Sequence, residues 1–527
     1  MENTASEYES FYHGKGKYKG ILSWLMSTDH KRIGIQYLVA LLTFFSVGVL
    51  LGLLIRLSLI APGKFIGQET YNRVFSVHGI IMIFLFIIPG VPVAFGNFFL
   101  PILIGARDVA FPRLNRFTWW IYLAGATLVV FSLFAAGGAP DTGWTFYAPY
   151  SIRAKANITL AVTGVFVLGF SSILTGINFV TTIHRLRAPG MTWFKLPLFV
   201  WTLYATGWVQ LLATPVLAIT LVFIILGRVF GVGFFDPSKG GDPILYEHLF
   251  WTYSHPAVYI MVLPAMGIIS EVIPVFARKK IFGYKAVAFS AIGIASVGYF
   301  VWGHHMFTSG MSDTARIIFS FITFLVAVPS GIKIFNWVST LYKGSIVGSA
   351  PIYFALTFIF LFSIGGLTGL IIGSLEPNLQ LHGTYFIVAH FHYVMFGGAG
   401  FAILTALHYW FPKMFGRMYP ERPAKIGWFI LFIGFNLLYF SMFILGYEGM
   451  PRRYFDYPPR YFPLHLVSTI GSWILAIGLA IIAGNLLRAL FKGPKAPADP
   501  WGGRTLEWTI PSPPPTENFA ETPVIRD

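Results

Sequence analysis

Long apolar runs dominate this chain, and its polar positions fall in short gaps between them. Twelve runs are delimited, roughly at 34–57, 74–104, 117–137, 157–184, 197–227, 246–277, 286–306, 315–341, 349–373, 382–411, 425–446 and 463–489. Each approaches or exceeds the ~20 residues a helix needs to cross a bilayer. The pattern predicts an all-α polytopic membrane protein: a polar segment 1–33, twelve transmembrane helices over 34–489, and an extended tail 490–527 containing Pro-Ser-Pro-Pro-Pro. The first apolar run is long enough to span, so the N-terminus does not read as a cleavable signal. No repeat at solenoid spacing is present.

Charge gives the runs an orientation. Lys15, Lys17, Lys19, Lys31 and Arg32 precede the first run, and alternate loops are basic, as at Arg107, Arg113 and Arg116 and at Arg278, Lys279, Lys280 and Lys285. The intervening loops carry Asp141, Asp236, Asp242, Asp313 and Glu376. The positive-inside rule then places both termini in the cytoplasm. The net charge of +16 is explained by these loops and implies no nucleic-acid partner. One outer loop breaks the rule with Arg452, Arg453 and Arg460, which hints at an anionic group nearby. At 56% hydrophobic and 11% charged, with a mean hydropathy of +0.69, the chain lies far from soluble composition. It has no cysteine, so any metal it holds must use histidine and oxygen ligands.

Histidines carry the candidate chemistry. His78, His255, the pair His304 and His305, and the pair His390 and His392 lie in apolar runs, where an imidazole needs a partner. Counting along the spans puts all six within roughly 15 Å of the outer surface. His390 and His392 differ by two residues, about 200° around a helix, so they face two different cofactors with one helix as the wall between. His255 and Tyr259 share a helix face. His255 with His304 and His305 forms a three-imidazole site suited to copper, with a phenol beside it. His78 and His392 are left as the two axial ligands of one haem, and His390 as the single ligand of a second, open haem. His30, His184, His248, His408 and His465 read as structural.

These residues, together with Met-Ser-Thr-Asp-His-Lys-Arg at 26–32, Ala-Phe-Pro-Arg-Leu-Asn at 110–115, Val-Pro-Ser-Gly-Ile-Lys at 328–333 and Gly-Met-Pro-Arg-Arg-Tyr at 449–454, resemble catalytic subunit I of the haem–copper oxidases, in the cytochrome c oxidase branch. The resemblance covers almost the whole chain. It implies a terminal oxidase that reduces O2 to water and pumps protons, with two haems of type A, one copper ion and the same ligand set. It also implies a covalent His255–Tyr259 link, with the Tyr259 phenol as catalytic donor. Arg452 and Arg453 match the pair that binds haem propionates, Arg56 the arginine at a haem A formyl group, and Trp144 a tryptophan between the propionates and the electron donor.

Proton routes are implied in the same way. Asp108, Asn97, Asn115, Ser171, Ser172 and Asn178 match a D-type path. Lys333, Ser330, Thr323 and Ser270, leading to Tyr259, match a K-type path. Two positions depart from the family pattern. Ala257 stands where a glutamate usually follows the ligand histidine, and Tyr253-Ser254 before His255 resembles a variant subgroup that uses this pair instead. His382 matches one ligand of a magnesium site, but Gly383 stands where the usual aspartate would be. The implied partners are oxidase subunit II with its dinuclear copper site, subunit III, cytochrome c or another periplasmic donor, and membrane lipid. The expected location is a bacterial inner (plasma) membrane. Nitric oxide reductases share the six-histidine plan, but Tyr259, Lys333 and Asp108 argue against them. A transporter reading leaves the His390/His392 geometry unexplained.

Overall fold

The computed structural model describes residues 9–13, 18–63 and 65–526; Lys15 and Lys17 lie outside the described residues. Twelve long helices follow one another: α1 His30–Ser58, α2 Gln68–Leu103, α3 Pro112–Ser132, α4 Ile158–Arg185, α5 Leu198–Phe230, α6 Pro243–Phe276, α7 Tyr284–Met306, α8 Asp313–Leu341, α9 Ala350–Gly373, α10 Tyr385–Phe415, α11 Glu421–Tyr447 and α12 Pro459–Lys492. Among the described residues there is no β-strand, only isolated bridges such as Ser10 with Pro515. Eleven of the helices are long and apolar enough to cross a membrane. The exception is α3, where the sequence pattern places the third span. Its first turns hold Arg113, Asn115, Arg116 and Thr118, which dilute the apolar run.

Local signals set the helix ends. The Asp29 carboxylate accepts from the N–H groups of Lys31 and Arg32 at the start of α1, and Asp242 and Ser312 cap α6 and α8 in the same way. Gly231, in a left-handed conformation at φ 70°, ends α5. Helices α3 and α4, α5 and α6, and α11 and α12 pack along their lengths. Between α11 and α12 the approach is backbone to backbone: a side chain at Gly434, Gly471 or Gly478 would run into the main chain of Leu475, Leu438 or Leu431. Small residues make such contact possible where lipid provides no hydrophobic drive between helices.

Two helices are locally widened. α2 opens into π-helical turns at Ile81–Ile87 and Gly90–Gly96, and α10 does so at Met395–Gly400. In each, the first wide turn begins three residues after a histidine, His78 or His392. Such bulges re-aim the helix and gather at functional sites. The Pro-rich tail after α12 is irregular, as its composition suggests, but it is not solvated along its length. Trp501, Trp508, Ile510 and Asn518 are buried against the helices.

Candidate functional site

One cavity of about 820 Å³ runs through the bundle, within the range of cofactor sites. His78, His255, His304, His305, His390 and His392 all line it, drawn from α2, α6, α7 and α10. His78 lies near His392, and His390 lies near His255, His304 and His305. On α10, His392 thus lies on the side of His78 and His390 on the side of the three-histidine group.

Hydrogen bonds fix the imidazole tautomers. His78 Nδ1 faces the Gly48 carbonyl at 2.8 Å, and His392 Nδ1 faces the Val388 carbonyl at 2.8 Å. A carbonyl only accepts, so each Nδ1 carries the proton and each Nε2 keeps its lone pair for a metal. His390 Nδ1 lies 3.2 Å from Thr368 Oγ1, whose proton goes to the carbonyls of Ile364 or Gly365. His304 Nδ1 lies 3.0 Å from Thr323 Oγ1, whose own proton goes to the Phe319 carbonyl. Both threonines thus accept, and both histidines present Nε2. The space is as specific as the bonding. A Cβ at Gly52 would sit 3.3 Å from His78 Cε1, and one at Gly369 would sit 3.1 Å from His390 Cε1.

His255, His304 and His305 offer nitrogen atoms within 4.8 Å of one another. His255 Nδ1 and His305 Nε2 are 3.0 Å apart, two nitrogens converging on one point. Trp251 stacks on His305 at 3.8 Å and 10°, fixing its plane. His255 Nε2 lies 2.8 Å from the Tyr259 hydroxyl. Gly298 of α7 lies against the Tyr259 ring, where any side chain would collide with it. The donor set is all nitrogen with a phenol at its edge, which suits copper.

Around the rim, buried polar atoms await a partner. Arg56 is 4% exposed and uses one nitrogen, Nη2, on the His465 carbonyl at 2.9 Å and on Thr469. Its Nε and Nη1 have no partner among the described residues. Arg452 and Arg453 also line the cavity, and no carboxylate among the described residues pairs with them. Burial, and for Arg453 the like charge of Arg452, pulls their pKa values down, that of Arg453 to about 10. Two crowded guanidiniums call for an anionic group between them. Trp144 lines the same cavity. His382 does too; its basicity is lowered to about 4 by burial and then by Arg452. Gly383 takes a left-handed conformation at φ 71° and accepts from the Arg452 N–H at 2.9 Å.

The proton-route residues fall in two places. Tyr253, Ser171 and Ser172 line a second cavity of about 40 Å³, together with Tyr37 and Gln210, which sequence reasoning missed. The Tyr37 hydroxyl lies 3.4 Å from Ser171 Oγ and 3.3 Å from Thr118 Oγ1. Ser172 Oγ, Ser254 Oγ, Asn97 Oδ1, Asn115 Nδ2 and Gln210 Oε1 are buried with no partner among the described residues. Of these, Ser172 and Gln210 line the small cavity, where a polar atom without a protein partner is matched to water. Asn178 instead pairs with the backbone of Phe111, fixing the loop that follows Asp108. Burial first, and then the Asp29 carboxylate, push Asp108 up to about 7.

On the other route, Thr323 and Ser330 line the main cavity. Lys333 is buried and donates to the Val287 carbonyl at 3.0 Å. Ser270 accepts from Trp337 Nε1 at 3.0 Å, so its hydroxyl is engaged in helix packing. Thr368 and Thr469 were not foreseen, and His465, read as structural, packs against Arg56. A threonine in an apolar helix ordinarily bonds only its own i−4 carbonyl, so nothing in the sequence marks it as the support of a histidine.

Comparison with known proteins follows the same lines. Residues 32–474 match the family described as Cytochrome C and Quinol oxidase polypeptide I. The chain is 46% identical over 518 residues to cytochrome c oxidase subunit 1 of Bacillus sp. (strain PS3), covering 97% of this chain and 84% of that protein. It is 45% identical over 523 residues to the corresponding subunit of Synechocystis sp. (strain ATCC 27184 / PCC 6803 / Kazusa), covering 99% and 94%. A solved haem–copper terminal oxidase dimer shares the fold, with a TM-score of 0.74 at 21% identity over 89% of this chain and 85% of that one. A match this long, to relatives this similar over nearly the full sequence, makes the chain a member of the cytochrome c and quinol oxidase polypeptide I family, whose members are integral membrane oxidase subunits that work with haem and copper.

Proposed function

We propose that this chain is the catalytic subunit of a terminal oxidase that reduces O2 to water and couples the reaction to proton pumping. The observation that carries this reading is the set of six histidines turned into one cavity. His78 and His392 would hold a low-spin haem, His390 a high-spin haem, and His255, His304 and His305 a copper ion. When bound, these groups supply O2 binding and electron transfer. The remaining work falls to side chains. The Tyr259 phenol, against His255, is placed to give up a proton and an electron, and the covalent His255–Tyr259 link would join two groups already in contact. Arg452 and Arg453 would neutralise propionates, and Trp144 would sit between them and the donor. The unpartnered nitrogens of Arg56 suit a formyl oxygen, which supports haem A. His382 would offer a magnesium ion one nitrogen, though a hard cation prefers oxygen ligands.

Asp108, with a pKa near neutrality, can both take and release a proton at its mouth of the bundle. From it a file of Asn97, Asn115, Ser171 and Ser172 leads toward Tyr253 and Ser254. Lys333, Ser330 and Thr323, with Ser270 lower down, would serve Tyr259. Helix α3 would complete twelve spans, and an even number leaves both termini on one side, the cytoplasmic side by its basic loops. The chain would lie in a bacterial inner membrane beside subunits II and III and take electrons from cytochrome c or another periplasmic donor; the relatives' name, cytochrome c oxidase subunit 1, and their bacterial sources support partner subunits and a bacterial membrane.

The direct test is optical and metal analysis of the purified complex. Two haems and one copper per copy of this chain are expected, beyond any copper held by subunit II. Non-haem iron in place of that copper would sink the reading. A second expected result concerns Ala257, which puts no carboxylate at the position two residues after His255 to relay protons. Tyr253→Phe deletes only the hydroxyl from the small cavity. It should slow turnover and lower proton release per electron in reconstituted vesicles. Unchanged rate and stoichiometry would leave a bare water chain past Ala257 as the better account.

A further inference from the structure

The Pro-rich tail returns across the bundle to the loop that carries Asp108, and one residue of it is placed for more than packing. Asn518 is fully buried, with a left-handed backbone at φ 61° that asparagine tolerates better than most residues. Its Nδ2 donates to the carbonyls of Ala106 at 2.9 Å and Arg107 at 3.0 Å, the two residues before Asp108. Nδ2 also reaches His30 Nε2 at 2.9 Å, while Oδ1 accepts from Lys31 Nζ at 2.8 Å.

These bonds form a connected set, with the two amide N–H groups of Asn518 shared among three acceptors. His30 Nδ1 faces the Asn97 carbonyl at 2.7 Å, so it carries the proton, and Nε2 is left to accept from Asn518. The amide of Asn518 can then point only one way, with oxygen toward the ammonium and nitrogen toward the acceptors. Lys31 also pairs with Asp29 at 3.3 Å. The backbone N–H groups of Val109 and His30 hold the Asp108 carboxylate itself. The tail therefore ties together the start of α1, the Asn97 turn of α2 and the Asp108 loop. Removing one partner from a buried network leaves several groups unsatisfied at once.

We propose that Asn518 is a positioning residue for proton uptake: it clamps the Asp108 loop against His30 and Lys31 and so aims the carboxylate into the file that begins at Asn97. This rests on the reading of Asp108 as the mouth of a proton route. The groups facing Asp108 are Asp29, His30 and Lys31, and Glu517 of the tail acts on Lys31 in turn. Without the clamp the loop opens to water, and Asp108 relaxes toward the ordinary carboxylate range.

The test is a double-mutant cycle in the purified, full complex. Asn518→Gly keeps the backbone conformation available and deletes the side chain. Asn518→Asp keeps the oxygen for Lys31 and loses the donors to Ala106 and Arg107. With haem and copper content unchanged, both variants are expected to slow turnover several-fold. The glycine variant should also move the pH midpoint of turnover down by roughly one unit. Added to Asp108→Asn, Asn518→Gly should have no further effect, because it acts through the carboxylate. Wild-type rates and pH profile in both variants would overturn the proposal. So would an undiminished effect in the Asp108→Asn background, or loss of haem from both variants, which would assign Asn518 to assembly. Wild-type turnover and pumping in Asp108→Asn alone would instead remove the proton-route reading on which the proposal stands.

Discussion

Replacing His305 by alanine is expected to cut copper at the three-histidine site well below one ion per chain and to reduce O2 consumption by more than roughly 100-fold, since even outer supports of metal ligands cost about 10- to 100-fold. Three features lead to this expectation. His305 supplies one of the three nitrogens that converge there among the described residues. Trp251 stacks on its ring, so no neighbouring side chain can swing into the gap without displacing an indole. The chain has no cysteine that could substitute as a ligand. The low-spin haem spectrum should persist, because His78 and His392 take their orientation from Gly48 and Val388, far from this change in the bonding network. Copper analysis with the visible spectrum of the same sample decides it. Full copper at this site in the variant would mean the cluster is not the site.

The second large effect separates His390 from His392. His392→Ala should abolish the low-spin haem signal and stop electron delivery, again with turnover down by more than roughly 100-fold. His390→Ala should leave that signal and remove carbon monoxide binding to the reduced protein. The distinction follows from the two rings' neighbours. His392 stacks on Tyr439 at 4.2 Å and 18°, whereas His390 is held by Thr368 of α9. If both variants lost the same spectral component, one cofactor rather than two would lie against α10.

Much of this was legible in the sequence, and for a physical reason. A membrane removes water as a hydrogen-bond partner, so apolar length marks helices and any histidine or lysine within them stands out. His390 and His392 disclosed a two-sided helix because helical rotation is fixed geometry. The span count was less secure at α3, where Arg113 and Arg116 share a helix with its apolar face. Supporting contacts were hidden. Thr368 under His390, His465 and Thr469 under Arg56, and Tyr37 beside Ser171 are long-range contacts between ordinary residues, and no spacing rule marks them. The tail's contacts with the helices were hidden too. Proline predicts an extended chain, but not that Trp501, Trp508 and Asn518 would bind that chain to the bundle.

The short stretch His390-Phe391-His392 has a consequence for coupling. Two residues along a helix rise about 3 Å. The separation between the two cofactor positions is thus written into one piece of covalent backbone rather than into the docking of separate parts. When loops breathe, or α6 shifts against α2, both positions ride on α10 together and the gap between them hardly changes. On the proposed assignment, the distance an electron would cross is set by one helix and stays constant while other helices move to admit protons, so coupling between the two flows would have to act through charge and not through that distance.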